Sequence, residues 1–173
     1  RRPHDHSDAA TQHRTRRRRR ARDRNIAMEA TRILPDLQCS LICEDIRQEA
    51  SGNFILLGII NHIRVPQLPV TALKLCIFNR WTAGVGDFTE RVRLIAPDGE
   101  TQLRESKVKF SLEDGTHNAT NASVFGQLQF QAAGAYYVEV EVDDVMKLRY
   151  ALPIIEVPPQ ESTGESEAPS KED

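Results

Sequence analysis

The stretch from Tyr136 to Leu152 limits what this chain can fold into more than any other. Tyr136, Val138, Val140 and Val142 alternate with Tyr137, Glu139, Glu141 and Asp143. Strict alternation is the period of a half-buried strand, because successive side chains point to opposite faces of a sheet. Asp143-Asp144 is the expected turn. Met146, Leu148, Tyr150 and Leu152 then run back, opposite Lys147 and Arg149. The pair predicts an antiparallel hairpin with one buried face. Glu–Lys and Glu–Arg pairs are expected across its solvent face, each worth about 0.2–1 kcal/mol.

The same period recurs upstream. Leu37, Cys39, Leu41 and Cys43 share one parity, opposite Gln38, Ser40 and Glu44. Leu73, Leu75 and Ile77 form another apolar parity that ends near Trp81. Phe88, Val92 and Leu94 oppose Thr89, Arg91 and Arg93. Val108, Phe110 and Leu112 alternate with Lys107, Lys109 and Ser111. Val124, Leu128 and Phe130 alternate with Gln127, Gln129 and Gln131. Turn signals separate these runs: Ser51-Gly52-Asn53, Gly84 with Gly86, and Pro97-Asp98-Gly99. One run differs. Phe54 to Ile63 is apolar at nearly every position, which predicts a strand buried on both faces. Gly58 within it predicts a bulge or a close backbone approach. Pro66 and Pro69 make 64–70 a loop or edge segment, and Asp45 to Ala50 has room for one helical turn. About eight short strands with turns between them predict an all-β, antiparallel sandwich.

Charge divides the chain into three. Residues 1–32 carry +7, residues 33–157 carry −5 and residues 158–173 carry −4, so the near-neutral total of −2 describes none of them. The head has almost no apolar residue before Ile26 and is expected to be disordered, as is the Pro-, Ser- and Glu-rich tail. The middle piece has the size of one domain. Arg16, Arg17, Arg18, Arg19 and Arg20 form a block that suits a nucleic-acid arm, held to phosphates by counterion release. No aromatic is interleaved to stack on bases. Met28 lies just before the first structured-looking residue, Leu34, so a natural start at Met28 is the competing expectation. It would remove the arm.

Little here points to catalysis. No nucleophile elbow, phosphate loop, zinc-protease helix or dinucleotide fingerprint occurs. Cys39-x-x-x-Cys43 has the spacing of half a zinc site, but Cys76, His62 and His117 are too scattered to supply the other half. Core packing is the expected role of these thiols, and a Cys76–His62 dyad lacks the electropositive setting that a reactive thiol needs. Glu44-Asp45, Glu113-Asp114 and Asp143-Asp144 lie at strand ends, where calcium could gather oxygen ligands. Solvated turn residues are the plainer reading. Asn118-Ala-Thr120 and Asn121-Ala-Ser123 match a glycosylation pattern that needs an exported chain. His117 to Ser123 is polar and long enough for a binding loop.

Ala132-Ala133-Gly134-Ala135-Tyr136-Tyr137-Val138-Glu139-Val140 resembles the late strand of immunoglobulin-like sandwiches. The resemblance implies that the Tyr136 hydroxyl closes a corner. Val138 stands where antibody domains carry a cysteine, so no inter-sheet disulfide is implied. Trp81 is a candidate core tryptophan. More widely, LPDLQCSLICEDIRQEASGNFILLGII, the PDGE hairpin, FSLEDGTHNATNASVFGQLQFQAAGAYYVEVEVDD and LRYALPIIEV are similar to a family of small bacterial domains of unknown function. That similarity covers residues 34–157. It implies a fold and no activity.

The expectation is a non-enzymatic protein-interaction or scaffold module with no cofactor. Ile55, Leu57 and Ile59 on the apolar run, together with His117 and Asn118, are the candidate contact residues. One face of the 54–63 strand should pack on the opposite sheet. The loop Val65 to Val70 is the first candidate to cover the other; failing that, an unknown protein or a second copy of the chain would cover it. Nucleic acid is a partner only if the Arg-rich head is present. The third option is a loop-based small-ligand or calcium module. The longest apolar run, Phe54 to Ile60, is far short of the roughly 20 residues of a membrane helix, so no membrane contact is expected. Three cysteines without an export-type leader point to a reducing, cytoplasmic setting.

Overall fold

The computed structural model describes residues 32–157. They form nine strands: β1 (Asp36–Gln48), β2 (Phe54–Ile59), β3 (Ile63–Val65), β4 (Val70–Thr82), β5 (Gly86–Ile95), β6 (Gln102–Leu112), β7 (Ala119–Phe130), β8 (Gly134–Val142) and β9 (Val145–Glu156). One sheet has the order β2-β1-β4-β7 and the other β3-β9-β8-β5-β6. Neighbouring strands are antiparallel except β3, which lies parallel to β9. The described residues are all-β, with a single core between the two sheets.

The second sheet follows the alternation closely. Phe88, Val92 and Leu94 of β5, and Tyr136, Val138, Val140 and Val142 of β8, face the core. Asp143 and Asp144 both adopt positive φ (46° and 64°), as the tight hairpin between β8 and β9 requires. The Asp98 carboxylate accepts from the Glu100 and Thr101 amides at 2.9 and 2.8 Å, which fixes the Pro97-Asp98-Gly99 turn. The Tyr136 hydroxyl donates to the Ala132 carbonyl at 3.1 Å, the expected corner. Glu139 meets its register partner Arg149 at 3.5 Å. A bulge between Val140 and Glu141 drops Lys147 from the ladder, so Glu141 pairs instead with Arg91 and Arg93 of β5.

The first sheet departs from simple alternation in three places. A register shift between Leu37 and Cys39 turns Ile42 into the core and puts Cys39, Leu41 and Cys43 on the outer face. In β4 and β7, only Leu73 and Gln127 drop out of an otherwise continuous ladder. Gln127 has φ +50°. Across that step both strands change the parity they bury. Leu75, Ile77 and Phe125 face inward on one side of it, and Ala72, Leu128 and Phe130 on the other. Leu73 and Val124, expected inside, are 81% and 58% exposed.

The third departure is the hairpin of β1 and β2. β1 pairs with β4 from Asp36 to Cys43 and with β2 from Cys43 to Gln48, so only Cys43 is shared. Gln48, the partner of Phe54, is seven residues from Leu41, the partner of Phe78. In a flat sheet that is roughly 23 Å. The Phe54 and Phe78 rings nevertheless meet edge-on, 5.6 Å apart. The Cys76 thiol donates to the Glu44 carbonyl at 3.7 Å. The hairpin therefore bends back over the outer face of its own sheet and buries Cys43, Cys76 and Phe78 there. Residues 45–48 continue the strand, contrary to the helical turn expected. The 54–63 run is not a doubly buried strand. It is the edge strand β2, followed by a break and then by β3 in the opposite sheet. Within the segment read as a loop, Leu68 and Val70 pack on the core.

Candidate functional site

Among the described residues, β2 has β1 as its only strand neighbour. Its sequence, Phe54-Ile55-Leu56-Leu57-Gly58-Ile59, contains no charge and no proline. Exposed edge strands usually carry such devices to block pairing with another chain. Phe54 packs on Phe78, while Ile55 and Ile59 are 41% and 56% exposed and Leu57 is half-buried. Gly58 has φ +63°, and a Cβ there would lie 2.7 Å from the Glu44 carboxylate. The close approach read from the sequence is present.

His117 and Asn118 do not join this surface. They end the turn between β6 and β7, and both are exposed. β1 and β4 lie between β2 and β7 in the sheet. His117 Nδ1 lies 3.0 Å from Asp114 Oδ2. Hydrogen bonds from the Thr116 hydroxyl and amide hold the Asp114 carboxyl down at about 2. Residues 119–123, expected as loop, belong to β7, so the turn is shorter than the sequence suggested.

Each carboxylate pair has at least one member already engaged. Asp143 accepts from Arg32 and from the Thr89 amide, the latter at 2.9 Å. Asp144 meets Arg91 at 2.7 Å. Asp45 pairs with Lys74 and Arg47. Among the described residues, no group of three or more His, Cys, Asp or Glu is placed to hold a metal ion. Cys39, Cys43 and Cys76 are unpaired thiols. Arg16–Arg20 lie outside the described residues.

The sequence reading missed a buried polar cluster between the sheets. Glu90, Asn79 and Trp81 have no exposure at all, and Asn121 has almost none. The Trp81 indole N–H donates to Glu90 Oε2, and Asn121 Nδ2 donates to the same oxygen at 3.1 Å. Glu90 Oε1 has no partner. The Asn79 amide approaches the carboxyl without reaching hydrogen-bond geometry. Burial raises the Glu90 pKa, and the Trp81 and Asn121 hydrogen bonds oppose that rise. Phe110 stacks on Trp81 at 5.6 Å and closes the cluster. The signal was available, because Glu90 shares the inward parity of Phe88, Val92 and Leu94. The Glu90 carboxyl is thus fully enclosed between the sheets, with one oxygen bonded and the other left without a partner.

A cavity of about 610 Å³ opens where the β5–β6 turn approaches β7. Leu128, Leu103 and Tyr136 contribute apolar lining, and Arg104, Gln127 and Gln129 also line it. Arg104 donates to the Gln127 carbonyl at 3.2 Å, across the residue with left-handed backbone.

Together these features define an all-β domain of two sheets, with an apolar free edge and a sealed polar centre. The chain belongs to a family of unknown function, DUF6941, whose model matches residues 38–155. No curated protein matches it.

Proposed function

We propose that the chain is a non-catalytic, immunoglobulin-like sandwich module that acts by binding another protein along the edge of β2. One observation carries the reading: β2 is an edge strand without a protective charge or proline, and it presents Ile55 and Ile59 to solvent. An extended partner segment can pair with such an edge through backbone hydrogen bonds and seat alternate side chains against it. The Tyr136 corner and the buried Trp81 support the immunoglobulin-like assignment. Three unpaired thiols support a cytoplasmic setting. The test places a photo-crosslinking residue at position 59 in the full chain, with position 146 as an exposed apolar control on β9. One protein cross-linked from 59 and not from 146, and lost in Ile55→Lys, supports the reading. Equal yields from both positions would sink it. In the homodimer version the cross-linked protein is the chain itself.

The 610 Å³ cavity favours a second reading, a site for a small apolar ligand, since such sites are concave and largely apolar. A ligand held there must raise the melting temperature. A screen of small amphipathic compounds that gives no shift removes this reading.

A further inference from the structure

Cys43, the joint of the folded-back hairpin, lies directly opposite Cys76 in the antiparallel ladder of β1 and β4. Opposed residues in such a ladder have Cα atoms about 4.5–5.5 Å apart. That falls within the roughly 4.4–6.8 Å spanned by disulfides. Both side chains point to the outer face of the sheet, and both are completely buried beneath the hairpin. Cys39, on the same strand, is opposite Arg80 and has no thiol across from it.

We propose that Cys43 and Cys76 form a cross-strand disulfide when the chain folds in an oxidising thiol–disulfide medium, pinning the point where the hairpin leaves the sheet. The oxidant is a small-molecule disulfide such as oxidised glutathione. One protein thiolate attacks it, forms a mixed disulfide and releases one glutathione thiolate. The second protein thiolate then attacks the protein sulfur of that mixed disulfide and releases the other. One S–S bond breaks and one forms between the two Sγ atoms. The two thiol protons end on two glutathione molecules. The weak bond from Cys76 to the Glu44 carbonyl is lost.

The folded thiols are slow to react. Burial pushes the Cys43 thiol up to about 11 and raises that of Cys76, so thiolate is scarce in the closed hairpin. The redox state is therefore set while the hairpin is open, either during folding or on local opening, and is then kept. This inference does not depend on β2 having a partner.

The experiment unfolds the full chain and refolds it in glutathione buffers spanning reducing to oxidising ratios. Acid quenching, intact mass and non-reducing peptide mapping then read the product. The expected species is a monomer two hydrogens lighter, with the Cys43 and Cys76 peptides linked and Cys39 open to alkylation. It unfolds at higher denaturant than the reduced form. Cys39→Ser leaves it unchanged, and Cys76→Ser abolishes it. The proposal is overturned if no protein disulfide forms at any ratio. It is also overturned if Cys39 pairs as often as Cys76, or if linked dimers predominate. The decisive measurement uses the unmutated chain, so a variant that fails to fold does not weaken it.

Discussion

Replacing Glu90 by Gln should stabilise the protein above neutral pH, and the gain should itself depend on pH. In an unfolded chain the carboxyl titrates near 4.3. In the folded chain, burial between the sheets raises that pKa. Between the two values the native state holds a proton that the unfolded state has released. Stability from this group is thus complete below the unfolded value and is lost as pH rises through the folded one. The loss reaches at most about 1.4 kcal/mol per pH unit. Gln keeps an oxygen for Trp81 and Asn121 and adds N–H donors beside the unpartnered Asn79 oxygen, without a charge. A buried polar atom left unpaired costs about 1–3 kcal/mol, so Glu90→Gln should gain about that much at pH 8 and little at pH 4. Urea unfolding followed by fluorescence reads this directly, since Trp81 is the sole tryptophan and lies against the carboxyl. Other carboxylates also titrate in this range, so the diagnostic quantity is the difference between variant and wild type. A difference that stays constant from pH 4 to pH 8 would refute the reasoning.

Tyr136→Phe removes the bond to the Ala132 carbonyl and should cost about 1 kcal/mol; an unchanged urea midpoint would show that the corner contributes nothing. Gln127→Gly should be neutral or stabilising because it relieves a left-handed φ, whereas Gln129→Gly on the same strand should cost about 0.5–1 kcal/mol. Equal losses for the two would contradict this account of the step in β7. Gly58→Ala should cost about 1 kcal/mol from its positive φ, and Glu44→Ala in the same background should recover only a little. Full recovery would mean that steric contact, and not backbone conformation, sets the cost.

Local alternation was a sound guide wherever a strand kept one phase. β5, β8 and the Asp143-Asp144 turn were legible because each buried face repeats without interruption. The first sheet was harder to read because its irregular steps carry no marker. Neither Gln38 nor Gln127 is the glycine or proline that would announce a bulge, yet each step reverses which side chains are buried. Phe54 to Ile63 misled for a related reason. Its double-sided hydrophobicity predicts cover from two layers. In the structure one side rests on Phe78 through a bend at Cys43, which no residue type marks. Glu90 lies in the apolar parity of β5, and alternation alone does not distinguish a buried, hydrogen-bonded carboxyl from a charge turned out to solvent. His117 and Asn118, expected at the start of a loop reaching Ser123, lie in the shorter β6–β7 connection, and the topology keeps them away from β2.

The bend at Cys43 also partitions the stability of the molecule. Among the described residues, β2 pairs with β1 alone, and β1 beyond Cys43 pairs with β2 alone. Residues 44–59 can lift away without breaking a ladder that borders the shared core. Amide hydrogens in the Asp45–Leu57 and Arg47–Ile55 pairs, which alternate with the Glu49–Asn53 bond at the turn, should then exchange with solvent together, through a partial opening much less costly than global unfolding. Those of β5 and β8, held between neighbours on both sides, should wait for the whole domain to come apart. A protease acting on the native protein would meet its first substrate in that same flap.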